Sequence, residues 1–94
     1  MERRLLSTDE VAAAVADLDG WEHDGEFLVR QFVFANFSEA FAFMTRVAFI
    51  AEQTDHHPNW SNVYNTVDIS VSTHDRGGVT DVDLNFVTRL NGLL

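Results

Sequence analysis

The chain has no cysteine and no lysine, and only one proline and one tyrosine among its 94 residues. Without cysteine there can be no disulfide, no thiolate nucleophile and no thiolate metal ligand, which fits a cytoplasmic location. No apolar run approaches the roughly 20 residues needed to span a bilayer, so no membrane partner is expected. Two arginines open the sequence but no long apolar segment follows them, so no signal peptide is expected. All six basic residues are arginine, against 15 acidic residues, giving a net charge of −9. Such a surface repels nucleic-acid phosphates, and no nucleic-acid partner is expected. Nine aspartates beside no lysine have two readings. One is GC-rich codon usage, with arginine replacing lysine. The other is a hydrated acidic surface adapted to high salt. Neither names a function.

What is abundant is apolar: 46% of the residues, with eight Phe and two Trp. That supports a compact core and is too much for a disordered chain. Ninety-four residues leave little room for a second core, so one domain over residues 1–94 is expected. No repeat, low-complexity tract or proline-rich linker interrupts it.

Ser7-Thr-Asp-Glu10 reads as a capping box that opens a first helix to about Asp17, with Val11, Ala14, Val15 and Leu18 inward and Asp19-Gly20 as its end. Trp21–His23 and Phe27–Ala35 read as strands around Asp24-Gly25-Glu26. Ser38 is placed to cap a second helix over Glu39–Asp55. Its apolar arc comprises Ala40, Phe41, Phe43, Met44, Val47, Ala48, Ile50 and Ala51, with Glu52 at the edge, half desolvated. Phe49 projects from the opposite side, and Phe49 and Ile50 are expected to be partly buried between subunits. Pro58 disfavours helix at His57, so the helix ends by about His56 and the two histidines leave it in different directions. Asn62–Asn65 reads as a separate short strand. Thr66–Thr73 alternates cleanly, with Val67, Ile69 and Val71 on one face. Arg76-Gly77-Gly78 is a loop. Thr80-x-x-Asp83 forms a second capping box, opening a helix that turns Val82, Phe86, Val87 and Leu90 inward. The fold class is α+β: a four-stranded antiparallel sheet with three helices on one face, in the order α-β-β-α-β-β-α.

Three of the four histidines fall at element ends: His56 and His57 after a helix, His74 after a strand, with Asp83 opening the next helix. Imidazole titrates near neutrality, so this set suggests general acid–base chemistry. Each residue also has a plainer reading. His57 before proline serves as a helix terminator, His74 as an exposed strand-end residue, and Asp83 as the third member of a capping box. Glu52 and Asp55 read as surface charges, and His23 as exposed. Trp60 and Tyr64 read as core or rim aromatics, although a tyrosine beside histidines can wall a planar heterocycle. Zinc is the chemical rival, since His56, His57, His74 and Asp83 are all competent ligands. Adjacent histidines rarely point at one ion, however, and there is no His-Glu-x-x-His pair. No metal and no other cofactor is expected.

The spacing Glu52-x3-His56-His57-Pro58-x5-Tyr64-x9-His74-x8-Asp83 closely resembles the signature of the pterin-4a-carbinolamine dehydratases. The aromatic stretch from Phe32 to Ala48 and the triplet Ser72-Thr73-His74 resemble the same family, and the likeness spans about residues 5–90. The resemblance implies dehydration of 4a-hydroxytetrahydropterin to quinonoid dihydropterin, without a cofactor. It implies His56, His57 and His74 as the acid–base set, lining one concave pocket, with Asp83 fixing His74. It implies Glu52, Trp60, Tyr64, Ser72 and Thr73 as substrate contacts. Family members form homodimers or homotetramers, and one animal member doubles as a dimerisation cofactor of a homeodomain transcription factor. The alternative is therefore a non-catalytic binding module acting as coactivator or assembly factor. A small structural subunit is the plainest reading.

Overall fold

The computed structural model describes residues 3–94. Along the chain run α1 (Thr8–Val15), β1 (Glu22–Asp24), β2 (Phe27–Val33), α2 (Phe37–Thr54), β3 (Asn59–Val63), β4 (Thr66–Val71), a single 3₁₀ turn (His74–Arg76) and α3 (Asp81–Asn91). The strands form one antiparallel sheet in the order β1-β2-β4-β3. This is the α+β fold and element order that the sequence pattern predicts.

Strand alternation divides the sheet into two faces. Leu28 and Phe32 of β2 and Val67, Ile69 and Val71 of β4 are buried on one face. They join Val11 of α1, Phe43, Val47 and Ile50 of α2, and Phe86, Val87 and Leu90 of α3 in one core. Each such side chain contributes about 1.5–3 kcal/mol on burial. An exposed ion pair gives about 1 kcal/mol at most, so the core decides the fold and the many surface charges do not. The opposite face carries polar residues: Gln31 Nε2 donates to Asp68 Oδ1 at 3.0 Å, and Ser61 lies opposite Asp68 in the next strand.

The helix starts follow local rules. Ser7 and Glu10 form the complete capping box of α1, and Thr80 and Asp83 that of α3. The cap of α2 is Asn36, not Ser38: its side chain accepts from the Glu39 backbone N–H, and the helix starts two residues earlier than the pattern predicts. The end of α2 also differs. Asp55 adopts a left-handed conformation (φ 50°), and the His56 N–H returns to the Ala51 carbonyl. This 6→1 bond is a Schellman closure, with aspartate in the place usually taken by glycine. The helix is thus stopped at Thr54, before Pro58 acts. The reversal sends His56 inward and His57 outward.

The short strand expected over Asn62–Asn65 is instead β3, which starts at Asn59, includes Trp60 and ends where Tyr64-Asn65 turn the hairpin. Tyr64 sits at φ 52°, and Asn62 Nδ2 donates to the Tyr64 and Thr66 carbonyls, which offsets that strain. Ile50 lies in the core of the chain itself, correcting its expected place between subunits. Phe41 and Ala48, expected inward, are exposed; Phe49 is exposed as expected.

The α1 cap has a measurable pH signature. The Arg4 guanidinium, and then the Ser7 backbone N–H, hold the Glu10 carboxyl well below the usual range, at about 2. A depressed carboxylate stabilises the fold above its unfolded value and loses that effect as pH falls through its folded value. Glu10→Gln should therefore melt below the parent at pH 7. The difference should shrink between about pH 4.5 and about pH 2, and thermal melts across this range check it.

Candidate active site

The C-terminus of α2, the far end of β4 and the N-terminus of α3 meet at one carboxylate. Asp83 has none of its surface exposed. Its Oδ1 lies 2.5 Å from His56 Nε2. Its Oδ2 accepts from the Thr80 backbone N–H at 2.8 Å and from the Thr73 hydroxyl at 2.9 Å. The capping box that starts α3 is therefore also the anchor of the α2 histidine. The two readings of Asp83, cap and site residue, describe one set of atoms.

This network fixes the state of His56. Oδ2 of Asp83 accepts from an N–H and an O–H donor, and a carboxylate accepts on its other oxygen as well. Against that carboxylate His56 Nε2 carries the hydrogen, and Nδ1 is the other ring nitrogen. Nδ1 has no protein partner, and no buried side-chain polar atom among the described residues lacks one, so Nδ1 reaches the surface. The ring, 5% exposed, packs edge-on against Phe86 with centroids 5.9 Å apart.

The other histidines differ. His57 Nε2 lies 2.8 Å from Glu52 Oε2, and the two side chains are 59% and 78% exposed. Glu52 is thus solvated rather than half desolvated: it lies on the outer face of α2, beyond the core arc. His74 is exposed in the 3₁₀ turn, one residue after Thr73; its carbonyl accepts from the Gly77 N–H, and its ring has no hydrogen bond to a described residue. Asp83 does not fix His74, as the resemblance implies; it fixes His56, because the helix reversal at Asp55 swings that ring inward. The register Asn59↔Ser70 places His57 and Pro58 at the same end of the β3–β4 hairpin as Ser72, Thr73 and His74. All three motif histidines therefore belong to one end of the molecule.

Not every candidate joins them. Tyr64 occupies the hairpin turn at the other end of β3, about 17 Å away at about 3.3 Å per strand residue. It cannot wall the histidine site of its own chain. Thr73 is 1% exposed and its hydroxyl is occupied by Asp83 and Thr80, so it is not a substrate contact. Trp60, opposite Ile69 in the edge strand, is partly exposed, and Ser72 is half-buried. A hollow of about 700 Å³ lies on the sheet, lined by Glu22, Gln31, Asn59, Ser61, Asp68 and Ser70 among others, and no histidine borders it. Among the described residues, no three His, Asp or Glu side chains gather as a metal-holding group.

The sequence reading took Thr80 for a cap alone. Its second role had no local signal, because its partner Thr73 lies seven residues away. Thr73 did have one: it continues the inward series Val67, Ile69, Val71 at period two.

Comparison with known proteins places this geometry. The sequence model of the family described as pterin 4 alpha carbinolamine dehydratase matches residues 4–93. The chain belongs to the pterin-4a-carbinolamine dehydratase family. A relative from Mesorhizobium japonicum, named "Putative pterin-4-alpha-carbinolamine dehydratase", is 56% identical over 97% of this chain and 95% of its own. A relative of the same name from Prochlorococcus marinus (strain MIT 9312) is 48% identical over 97% and 95%. Among solved structures, the transcriptional coactivator/pterin dehydratase from Brucella melitensis superposes with a TM-score of 0.93 at 40% identity, covering 96% of this chain and 98% of that one. A pterin dehydratase-like protein identified as a RuBisCO assembly factor in the alpha-carboxysome has a TM-score of 0.68 at 25% identity, over 79% and 88%. Solved structures similar to this chain are thus named for dehydration and for assembly on one fold.

The two histidine–carboxylate pairs of this dehydratase-family chain should separate by stability. Asp83→Ala strands a buried imidazole and removes a cap, a loss of about 3–5 kcal/mol. That lowers the melting temperature by more than about 10 °C in a domain of this size. His57→Ala breaks an exposed pair and should cost less than about 1 kcal/mol. Parallel thermal melts check both.

Proposed function

We propose that this chain is a cytoplasmic 4a-hydroxytetrahydropterin dehydratase, a hydro-lyase that recycles tetrahydropterin by His general acid–base catalysis. The observation that carries this reading is the buried Asp83–His56 pair, which holds Nε2 inward and leaves Nδ1 for the reaction at the end of the fold that bears His57 and His74. A scaffold has no need of a histidine set in one tautomer.

The chemistry requires two proton movements. A protonated imidazole gives its proton to the 4a oxygen, the C4a–O bond breaks, and water leaves. The N5 lone pair forms the C4a=N5 bond, and the N5 proton passes to a second imidazole. Positioned proton transfer contributes about 10²–10⁴-fold. In this scheme His56 works through Nδ1, His74 through an unencumbered ring, and His57 with Glu52 meets the polar edge of the pterin. Trp60 and Ser72 are further contacts. Asp83 positions His56.

We further propose a homo-oligomer. Phe37, Phe41 and Phe49 project from the outer face of α2, and the Phe37 and Phe41 rings pack at a tilt with centroids 5.7 Å apart. Three exposed phenylalanines on one helix exceed the scattered apolar residues of an ordinary surface. The same face supports the second reading, a coactivator or assembly module, for which relatives named as a transcriptional coactivator and an assembly factor give precedent. The net charge of −9 argues against direct nucleic-acid binding in either case. No helix among the described residues is long and apolar enough to cross a membrane.

The decisive substitution is His74→Ala. The His74 ring is exposed and bonded to no described residue, so its removal leaves the fold alone. With chemically prepared carbinolamine, dehydration should slow by at least about tenfold while the melting temperature stays unchanged. An unchanged rate would favour the assembly reading. His56→Ala should also slow the reaction but lowers stability too, because it strands Asp83. Sedimentation velocity at micromolar concentration should show a species larger than one chain, and Phe49→Asp should reduce it; a monomer would remove the oligomer.

A further inference from the structure

Behind Asp83 lies a chain of hydroxyls with a defined direction. The Val82 backbone N–H donates to Thr80 Oγ1 at 3.2 Å. Thr80 Oγ1 and Thr73 Oγ1 are 2.7 Å apart, where either could be the donor. Thr73 Oγ1 donates to Asp83 Oδ2 at 2.9 Å. Because the Thr73 hydrogen is committed to Asp83, the Thr80 hydrogen must point at Thr73. The order is therefore Val82 N–H to Thr80, Thr80 to Thr73, Thr73 to Asp83, and His56 Nε2–H to the other carboxylate oxygen. Every donor in it points toward Asp83. Both threonines are fully buried, at 1% and 0% exposure, so water does not compete for these bonds. A buried network satisfied at each member is rigid, and a member removed from it leaves a costly orphan.

We propose that Thr73 is a positioning residue: its hydroxyl, held in one sense by Thr80, aims the Asp83 carboxylate so that His56 keeps Nε2–H inward and presents Nδ1 to substrate. The proposal rests on the dehydratase reading for its kinetic consequence but not for its structural one. Thr73 is the only hydroxyl within 3 Å of Asp83, whereas Thr80 Oγ1 stands 3.5 Å from Oδ2. Without the Thr73 hydroxyl, the Thr80 hydroxyl loses its acceptor and must turn toward Oδ2. The carboxylate then pivots, and the bond from Oδ1 to His56 loosens. A hydroxyl at this position is required; the methyl group is not. Serine should therefore serve and valine should not, although valine fits the same volume.

Two readouts test this on the full chain. Nitrogen-15 spectra of the imidazoles report which ring nitrogen of His56 carries hydrogen. The parent should show His56 with a solvent-protected Nε2–H. Thr73→Val should show exchange between tautomers and loss of that protection, and Thr73→Ser should restore the parent pattern. With carbinolamine, Thr73→Val should lower kcat about fivefold or more with KM little changed, and Thr73→Ser should recover most of kcat. Should Thr73→Val fail to fold, Thr80→Ala removes the upstream hydroxyl but keeps the backbone N–H and Thr73 bonds to Asp83, and should shift both readouts less and in the same sense. Parent-like His56 spectra in Thr73→Val, or in Thr80→Ala where that variant stands in, would overturn the positioning role. So would a normal kcat in the same variant beside an active parent. An inactive parent with the expected spectral change would sink the dehydratase reading while upholding the hydroxyl relay.

Discussion

The structure depends on one buried carboxylate. Asp83 is where three elements meet that are far apart in sequence: the end of α2 through His56, the exit of β4 through Thr73, and the start of α3 through Thr80. A charge without solvent is costly unless its acceptor positions are filled, and here donors from all three elements fill them. Removing any one donor raises the cost of the others. The arrangement therefore fixes the relative placement of two helices and a strand more tightly than apolar contact does, since apolar packing tolerates sliding and a hydrogen-bonded carboxylate does not. The core supplies most of the free energy, and Asp83 supplies the registration.

Much of the fold was legible because its signals are local. Both capping boxes, the alternation of Thr66–Val71 and the inward residues of α3 are set by neighbours within four positions. What could not be read arises from longer range or from conformations that sequence reports weakly. Asp55 in a left-handed conformation looks like any acidic residue, so Pro58 was credited with ending α2. The outer face of α2 bears phenylalanines too, so the helix reads as one wide apolar arc. Only the sheet beneath shows that Phe41 and Ala48 lie outside it. In the site, the motif histidines and Asp83 were found by type and spacing. The pairing was not, because which imidazole meets Asp83 depends on the backbone reversal at Asp55. The resemblance puts Tyr64 among the substrate contacts, but the length of β3 carries it to the far end of the strand.

Two faces of α2 do different work. Its inner face closes the core through Phe43, Val47 and Ile50. Its outer face carries Phe37, Phe41 and Phe49 along most of its length and ends at Glu52, beside His57. Whatever covers the phenylalanines comes within a few turns of the histidines. An apolar outer surface and the motif histidines are thus neighbours on one helix, on a fold whose solved relatives are named for dehydration and for assembly.

The hydroxyl and carboxylate network has a consequence for motion. Functional ends of proteins are commonly the parts that open first, because they are built from loops with few buried contacts. Here Thr73 and Asp83 are sealed and His56 shows only the edge of its ring, and their bonds join segments 10 and 27 residues apart in sequence. The His56 bond cannot release without separating α2 from α3, nor the Thr73 bond without separating the exit of β4 from α3. The amides of Asp83 and Thr73 should then exchange with solvent only when the whole chain unfolds. The histidine end would be the last part of this molecule to become mobile, and substrate would meet a surface already in its final shape.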